Sequence, residues 1–238
     1  MSKCASDVVK QAQAWLGKKE QDGSFNEIID LYNSHKPLAR GYKVKYTDEW
    51  CATFVSAVAI KLGMTDIIPT ECSCQKQIEK FKELGCWEEN EAVEGVKPGW
   101  VIYYDWNDSA KDYEKNDCKG WSDHVGIVEE VSSGIIKVIE GNYNSRVGRR
   151  FIKINDKYVR GYGIPKYDSE PVFYPKYKGT SVYLDKILAD IGVPSKFLGT
   201  WAKRKPIALA NGISNYSGTA NQNGKLISLA KQGKLKRV

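Results

Sequence analysis

The chain has 238 residues, enough for one large domain or an ordinary domain with a small appendage. Its composition, 42% hydrophobic and 27% charged, is that of a soluble globular protein, and no run approaches the roughly 18 consecutive apolar residues that would make a membrane partner or span an expectation. The net charge of +7 is uneven: from Lys176 to Val238 twelve lysines and arginines face two acids, Asp185 and Asp190, a net +10, whereas residues 1–175 carry 24 basic against 27 acidic residues, a net −3. Such asymmetry predicts two parts with different tasks, one near neutral and one able to adhere to an anionic polymer. The prolines and glycine of "DSEPVFYPKYKGTS" place the join there, giving a first domain over 1–168, a linker over 169–180 and a second module over 181–238.

In chain order, "MSKCASDVVKQAQAWLGKKE" lacks the continuous apolar stretch of a secretory signal, so synthesis and folding in the cytoplasm are expected. Within it "SDVVKQAQAWLG" has helical periodicity, capped near Ser6 and ended at Gly17; "FNEIIDLYN" is a second, short helix. A third, "TDEWCATFVSAVAIKLG", is expected to open with Thr47 or Asp48 as its cap and close at Gly63. "CSCQKQIEKFKELG" repeats the helical period. From residue 100 the period falls to two, and "WVIYYDW", "HVGIVEEV", "IIKVIEG", "RRFIKI" and "KYVRGYGI" read as strands. Helices followed by antiparallel strands predict an α+β fold, with helices on one face of a sheet. In the basic part, "TSVYLDKILADIGV" reads as a helix, and the remainder as two more, the last ended at Gly233.

Six cysteines, at 4, 51, 72, 74, 86 and 118, are expected as free thiols in a chain without an export signal. The "CSC" at 72–74 with Cys86 lacks the spacing of a zinc module. Cys51, Val55, Val58 and Leu62 form one helical stripe, so the thiol faces the sheet and lies in the first turn, where the helix dipole stabilises a thiolate. A cysteine on such a stripe, taken alone, is most often just a small core residue. His124, one of only two histidines, opens a hairpin strand. If "SSG" (132–134) is a three-residue connection, His124 lies opposite Asn142 and Gly126 opposite Glu140, all on one face; a two-residue loop would send Glu140 to the other face. Nucleophile, base and orienting groups together would build a thiolate–imidazolium pair.

The stretches "DEWCATFVSAV", "DHVGIVEEV" and "VIEGNYN" resemble the signature blocks of the CHAP family, cysteine- and histidine-dependent amidohydrolases and peptidases of papain-like fold, many of them phage endolysins. The likeness covers roughly residues 1 to 167, with Trp100 where the family usually has an aspartate after "PG". It implies Cys51 as nucleophile, His124 as base and then acid, and Glu140 and Asn142 as groups orienting the imidazole. It also implies bacterial peptidoglycan as substrate, cut as an N-acetylmuramoyl-L-alanine amidase or an endopeptidase, and no cofactor. Trp50 and Trp121, beside Cys51 and close to His124, are read either as walls of a substrate groove or as core aromatics. The basic segment is similar to small C-terminal modules of such lysins, through "ANGI", "NYSGTA" and "GKL", and is expected to bind cell wall; no nucleic-acid motif is visible in it. The enzyme would be a monomer made in a host cytoplasm and acting on the wall after release. The acidic loop 105–117, with Asp105, Asp108, Asp112, Glu114 and Asp117, does not have the EF-hand spacing and is expected as a solvated loop without metal. Two other readings are a wall- or glycan-binding protein that keeps a hydrolase fold without catalysis, and an acyl-transferring or deamidating papain-like protein.

Overall fold

A computed structural model describes residues 3–90, 95–109, 111 and 115–238. The chain divides into two units, Met1–Ser169 and Glu170–Val238.

The first unit begins with four helices, α1 (Ala5–Ala14), α2 (Asn26–Ser34), α3 (Cys51–Leu62) and α4 (Cys74–Glu83). Every residue of α3 from Cys51 to Ala59 is buried, which accounts for its apolar residues occurring all round rather than in one stripe. Each large apolar side chain sunk this way contributes about 1.5–3 kcal/mol, so α3 is the axis of the unit. It starts later than Thr47 or Asp48: Trp50 is the residue before the helix and gives no side-chain cap. Asp48 is engaged elsewhere, its carboxylate accepting from the Lys45 N–H and the Tyr42 hydroxyl at 2.8 Å each. The helix ends as expected at Gly63, whose φ of 64° lies where a Cβ is disfavoured. In α4, Ser73 caps the helix by accepting from the Lys76 N–H.

Six strands follow among the described residues: β1 (Trp87–Glu89), β2 (Val101–Tyr104), β3 (His124–Ser132), β4 (Ile135–Glu140), β5 (Gly148–Lys153) and β6 (Val159–Gly163). They form one antiparallel sheet in the order β1-β6-β2-β3-β4-β5. The five strands expected from the period of two are all present; β1 is a three-residue addition too short to leave a periodic signal. Alternation sends Val101, Tyr103, Val125, Ile127 and Ile139 into the core shared with the helices. The opposite face carries its own buried set, including Ile102, Tyr104, Val128, Val138 and Tyr162. The fold is thus α+β, with helices against one face of an antiparallel sheet.

The hairpin between β3 and β4 differs from the expected one. Ser132 pairs with Ile135, so the turn has two residues, Ser133 and Gly134, with φ of 49° and 78°, the conformation that suits a tight hairpin of this twist. Between Val128 and Glu130 the register then shifts, because Glu129 is an extra residue in β3. Beyond the bulge Val128 pairs with Val138 and Ile127 with Ile139.

The second unit contains α5 (Leu184–Asp190), α6 (Trp201–Ala210) and α7 (Ala220–Gln232) around Ile187, Leu188, Ile207, Leu226, Ala230 and Leu235. Arg204 ties its helices together, Nη1 on the Asp185 carboxylate at 2.8 and 2.9 Å and Nε on the Tyr216 hydroxyl at 3.0 Å. A capping box between Thr219 and Gln222 opens α7. Most of the stretch expected as a linker, 169–180, belongs to this unit. Tyr174 and Tyr177 are buried in its core, and their N–H groups donate to the carbonyls of Leu235 and Ala230 at 2.8 and 3.0 Å. Two tyrosines with apolar bodies outweigh the prolines that made the segment read as a spacer.

Candidate active site

Cys51 is the first residue of α3, and the Ala52 N–H at the open end of the helix bonds its sulfur. The site is assembled where this helix start meets the beginning of β3 and the end of β4. Two glycines permit the approach. A Cβ on Gly141 would sit 2.3 Å from the Phe54 Cβ, and one on Gly126 would sit 2.7 Å from the Glu140 Cγ. Any side chain at either position would push the helix off the strand or the carboxylate out of the site.

His124 and Glu140 are joined directly, Nε2 to Oε2 at 3.0 Å. This engages Nε2 and leaves Nδ1, and the Cys51 sulfur acts on the ring to favour its charged form. Glu140 is fully buried and receives Arg150 as well, whose Nε donates at 2.8 and 3.0 Å. The Arg150 guanidinium is sandwiched among aromatic rings, 4.7 Å from the Trp106 centroid and 4.9 Å from that of Tyr143. Tyr104 stacks on Trp106 at 4.7 Å and lies beside the His124 ring at 5.9 Å.

The electrostatics follow from these contacts. Cys51 is held well below the ordinary thiol range: the Cys74 thiol, the His124 imidazole and the Ala52 N–H together outweigh the burial that opposes ionisation. Burial alone would depress His124, but the hydrogen bonds and charges of Cys51 and Glu140 prevail and push it up to about 10. Burial likewise opposes the Glu140 charge, and His124 and Arg150 overcome it, holding the carboxyl low. The pair is therefore a thiolate beside an imidazolium through neutral pH.

Other expected residues lie differently. Asn142 follows the end of β4 with a φ of 57°, and its carboxamide donates to the Glu49 carboxylate, so Glu140, not Asn142, bonds the imidazole. The sheet pairing that would have set it opposite His124 ends at Glu140. Trp50 has no exposed surface and its indole N–H donates to Glu20 at 2.9 Å, so it is a core aromatic under the helix start and not a groove wall. Trp121 is 70% exposed. In the acidic loop Asp105 is buried, its carboxyl raised by burial and by neighbouring Asp123, Asp108 and Asp117; Asp112 and Glu114 lie outside the described residues.

Two participants escaped the sequence reading. Arg150 had a legible signal, since alternation along β5 puts it opposite Val138 and on the same face as Glu140. Cys74 had none. Its sulfur lies 3.5 Å from that of Cys51 because two helix starts, 23 residues apart in sequence, converge in space.

A thiolate at a helix start, an imidazole on the facing strand and a buried carboxylate behind it define a papain-like cysteine–histidine site. Residues 41–142 match the model of the CHAP domain family. That family is of the peptidoglycan-hydrolase type, with amidase or peptidase activity. No curated protein matches the chain. A solved structure described as "The crystal structure of Ly7917" is similar at 12% identity and a TM-score of 0.37, over 68% of this chain; the likeness spans 62% of that chain.

Proposed function

We propose that the chain is an endolysin, a phage peptidoglycan hydrolase that cleaves one amide bond of the bacterial wall by nucleophilic catalysis at Cys51. The bond is either that between muramic acid and L-alanine or one within the peptide and its cross-bridge. The observation that carries the reading is the 3.0 Å contact of His124 Nε2 with the buried Glu140, which leaves the other imidazole nitrogen to serve the Cys51 sulfur.

The Cys51 thiolate adds to the amide carbonyl carbon, and N–H groups at the open end of α3 hold the oxygen as it becomes negative. His124, protonated at the start, gives its proton to the leaving amine as the C–N bond breaks, leaving a thioester on Cys51. A water molecule then loses a proton to His124 and adds to the thioester; collapse releases the carboxylate and restores thiolate and imidazolium. Glu140 keeps the ring oriented and its cation stable, and Arg150 keeps Glu140 ionised. Trp121 offers an exposed aromatic face three residues before His124 for stem peptide or sugar. The second unit is read as a wall-binding module, the +10 charge of Lys176–Val238 matched to an anionic polymer. The protein is made in the host cytoplasm and meets its substrate after release.

The test is digestion of purified sacculi, followed by turbidity and by mass spectrometry of the fragments. Wild type should release fragments with one new amine terminus, whose identity names the bond. Cys51→Ala should fold and release none, since a thiol of this size is replaced with little disturbance of packing. Lysis above a few per cent of wild type by that variant would remove Cys51 as nucleophile.

A further inference from the structure

We propose that Cys74 is a positioning residue for Cys51: its thiol donates a hydrogen bond to the Cys51 sulfur and holds that sulfur as a thiolate facing His124. The inference deepens the proposed function and rests on it for the role of Cys51 in catalysis.

The two sulfurs are 3.5 Å apart, both residues are almost wholly buried, and both are free cysteines. Either could donate, and the surroundings of each sulfur decide the direction. Each begins a helix, Cys51 opening α3 and Cys74 opening α4 behind Ser73, and a helix start favours an anion at either sulfur. What breaks the tie is the company each keeps. Cys51 has the imidazole of His124 from β3, backed by Glu140 from β4. Cys74 has the negative carboxylate of Asp123 in its surroundings. Tyr103 of β2 also acts on both sulfurs, and its hydroxyl is committed to the Gln77 side-chain oxygen at 2.9 Å. The proton therefore resides on Cys74 and the charge on Cys51.

A buried thiolate is stable only if its lone pairs are met by donors. The Ala52 N–H and His124 favour the charge, and Cys74, 3.5 Å away at the start of a different helix, supplies a further donor. The arrangement requires no proton transfer to or from Cys74 in the reaction. When the Cys51 electron pair goes to the carbonyl carbon, the Cys74 proton stays where it is, and the hydrogen bond weakens as the sulfur becomes neutral.

The test is alkylation of the full-length chain by iodoacetamide across a pH series, read by mass spectrometry at the peptide containing Cys51. Three variants are compared with wild type: Cys74→Ala and Cys74→Val, which remove the donor, and Cys74→Ser, which restores one of similar size. Loss of a hydrogen bond to a charged group should raise the Cys51 inflection by about one pH unit in the first two variants. Cys74→Ser should stay within about 0.3 unit of wild type. Alanine leaves a small void and valine fills it, so whichever of the two keeps the wild-type circular dichroism gives the result. Conversely, Cys51→Ala should lower the Cys74 inflection, because the neighbouring charge is gone. An unchanged Cys51 inflection in the folded alanine or valine variant, or a serine variant shifted as far as they are, would overturn the proposal. Alkylation does not depend on wall cleavage, so it decides the role of Cys74 even if Cys51→Ala proves fully lytic and the proposed function fails.

Discussion

Glu140→Gln is the substitution that separates orientation from packing, since it keeps the shape of the side chain and removes its charge. The carboxylate has no exposed surface and accepts from His124 at 3.0 Å and from Arg150 at 2.8 and 3.0 Å. Removing one partner of a buried ion pair costs about 3–5 kcal/mol. Here the glutamine oxygen still accepts one bond, worth about 1 kcal/mol. The Arg150 side chain also keeps 29% of its surface in water, which softens the loss of its counter-charge. A destabilisation of about 2–3 kcal/mol follows, or about 4–12 °C in Tm for a unit of this size. The rate of wall lysis should fall further than stability does, by about 10²–10⁴, because the imidazole loses both its orientation and the anion that stabilises its cation. Calorimetry and turbidity under one buffer give both numbers. A Glu140→Gln protein with wild-type Tm and a rate within about threefold of wild type would refute the assignment of Glu140 as the orienting group.

The stability difference between the two proteins should also depend on pH in a defined sense. His124 is raised from 6.5 to about 10, so its contribution is complete below 6.5 and is lost as pH rises toward 10. Glu140 is lowered from 4.5, so its contribution is present above 4.5 and is lost as pH falls through its folded value. The gap should be widest at about pH 5–6 and narrow on both sides. It should not close fully at the alkaline end until His124 has deprotonated, because Cys51 also holds the imidazole charged.

Two further outcomes are expected. Wall lysis should be flat through neutral pH and fall along a limb near pH 10, where the imidazolium is lost; an alkaline limb centred near the ordinary histidine value of about 6.5 would contradict the thiolate–imidazolium pair. A chain ended at Ser169 should keep its cleavage of soluble peptidoglycan fragments but lyse intact walls more slowly, and the advantage of the full chain should shrink between about 0.05 and 0.5 M salt as screening shortens; a salt-insensitive advantage would mean that the second unit reads a specific glycan feature rather than charge.

The parts of the fold that could be read from the sequence are those in which one local rule decides the outcome. The period of two gave β2 to β6, and glycines at 63 and 233 ended α3 and α7 as their left-handed φ values require. α3 starts beyond Thr47 and Asp48 because a cap residue is a local preference and Asp48 is better satisfied by Lys45 and Tyr42. Trp50 was ambiguous for a similar reason: an aromatic before a nucleophile can face either way, and the choice was made by Glu20, thirty residues upstream.

The candidate site is the more instructive case, because Glu140 faces His124 through a register that the expected loop did not produce. A two-residue turn at Ser133 and Gly134 places every subsequent pair one step out of phase, which alone would carry Glu140 to the far side of the sheet. The extra residue at Glu129 reverses that step before the hairpin reaches the site. It does so because Glu129 has something to gain from facing inward: Arg149 donates to it at 2.6 and 2.8 Å and Gln13 at 2.8 Å, contacts that hold its carboxyl at about 2. Adjacent arginines in β5 thus serve opposite faces, Arg149 anchoring the bulge and Arg150 the carboxylate behind the imidazole. Alternation along β5 sends the two arginines to opposite faces, but it cannot place Glu129, the residue that breaks the alternation of β3. The information that fixes the site is carried by charge pairing across strands, and it acts on the backbone before it acts on the histidine.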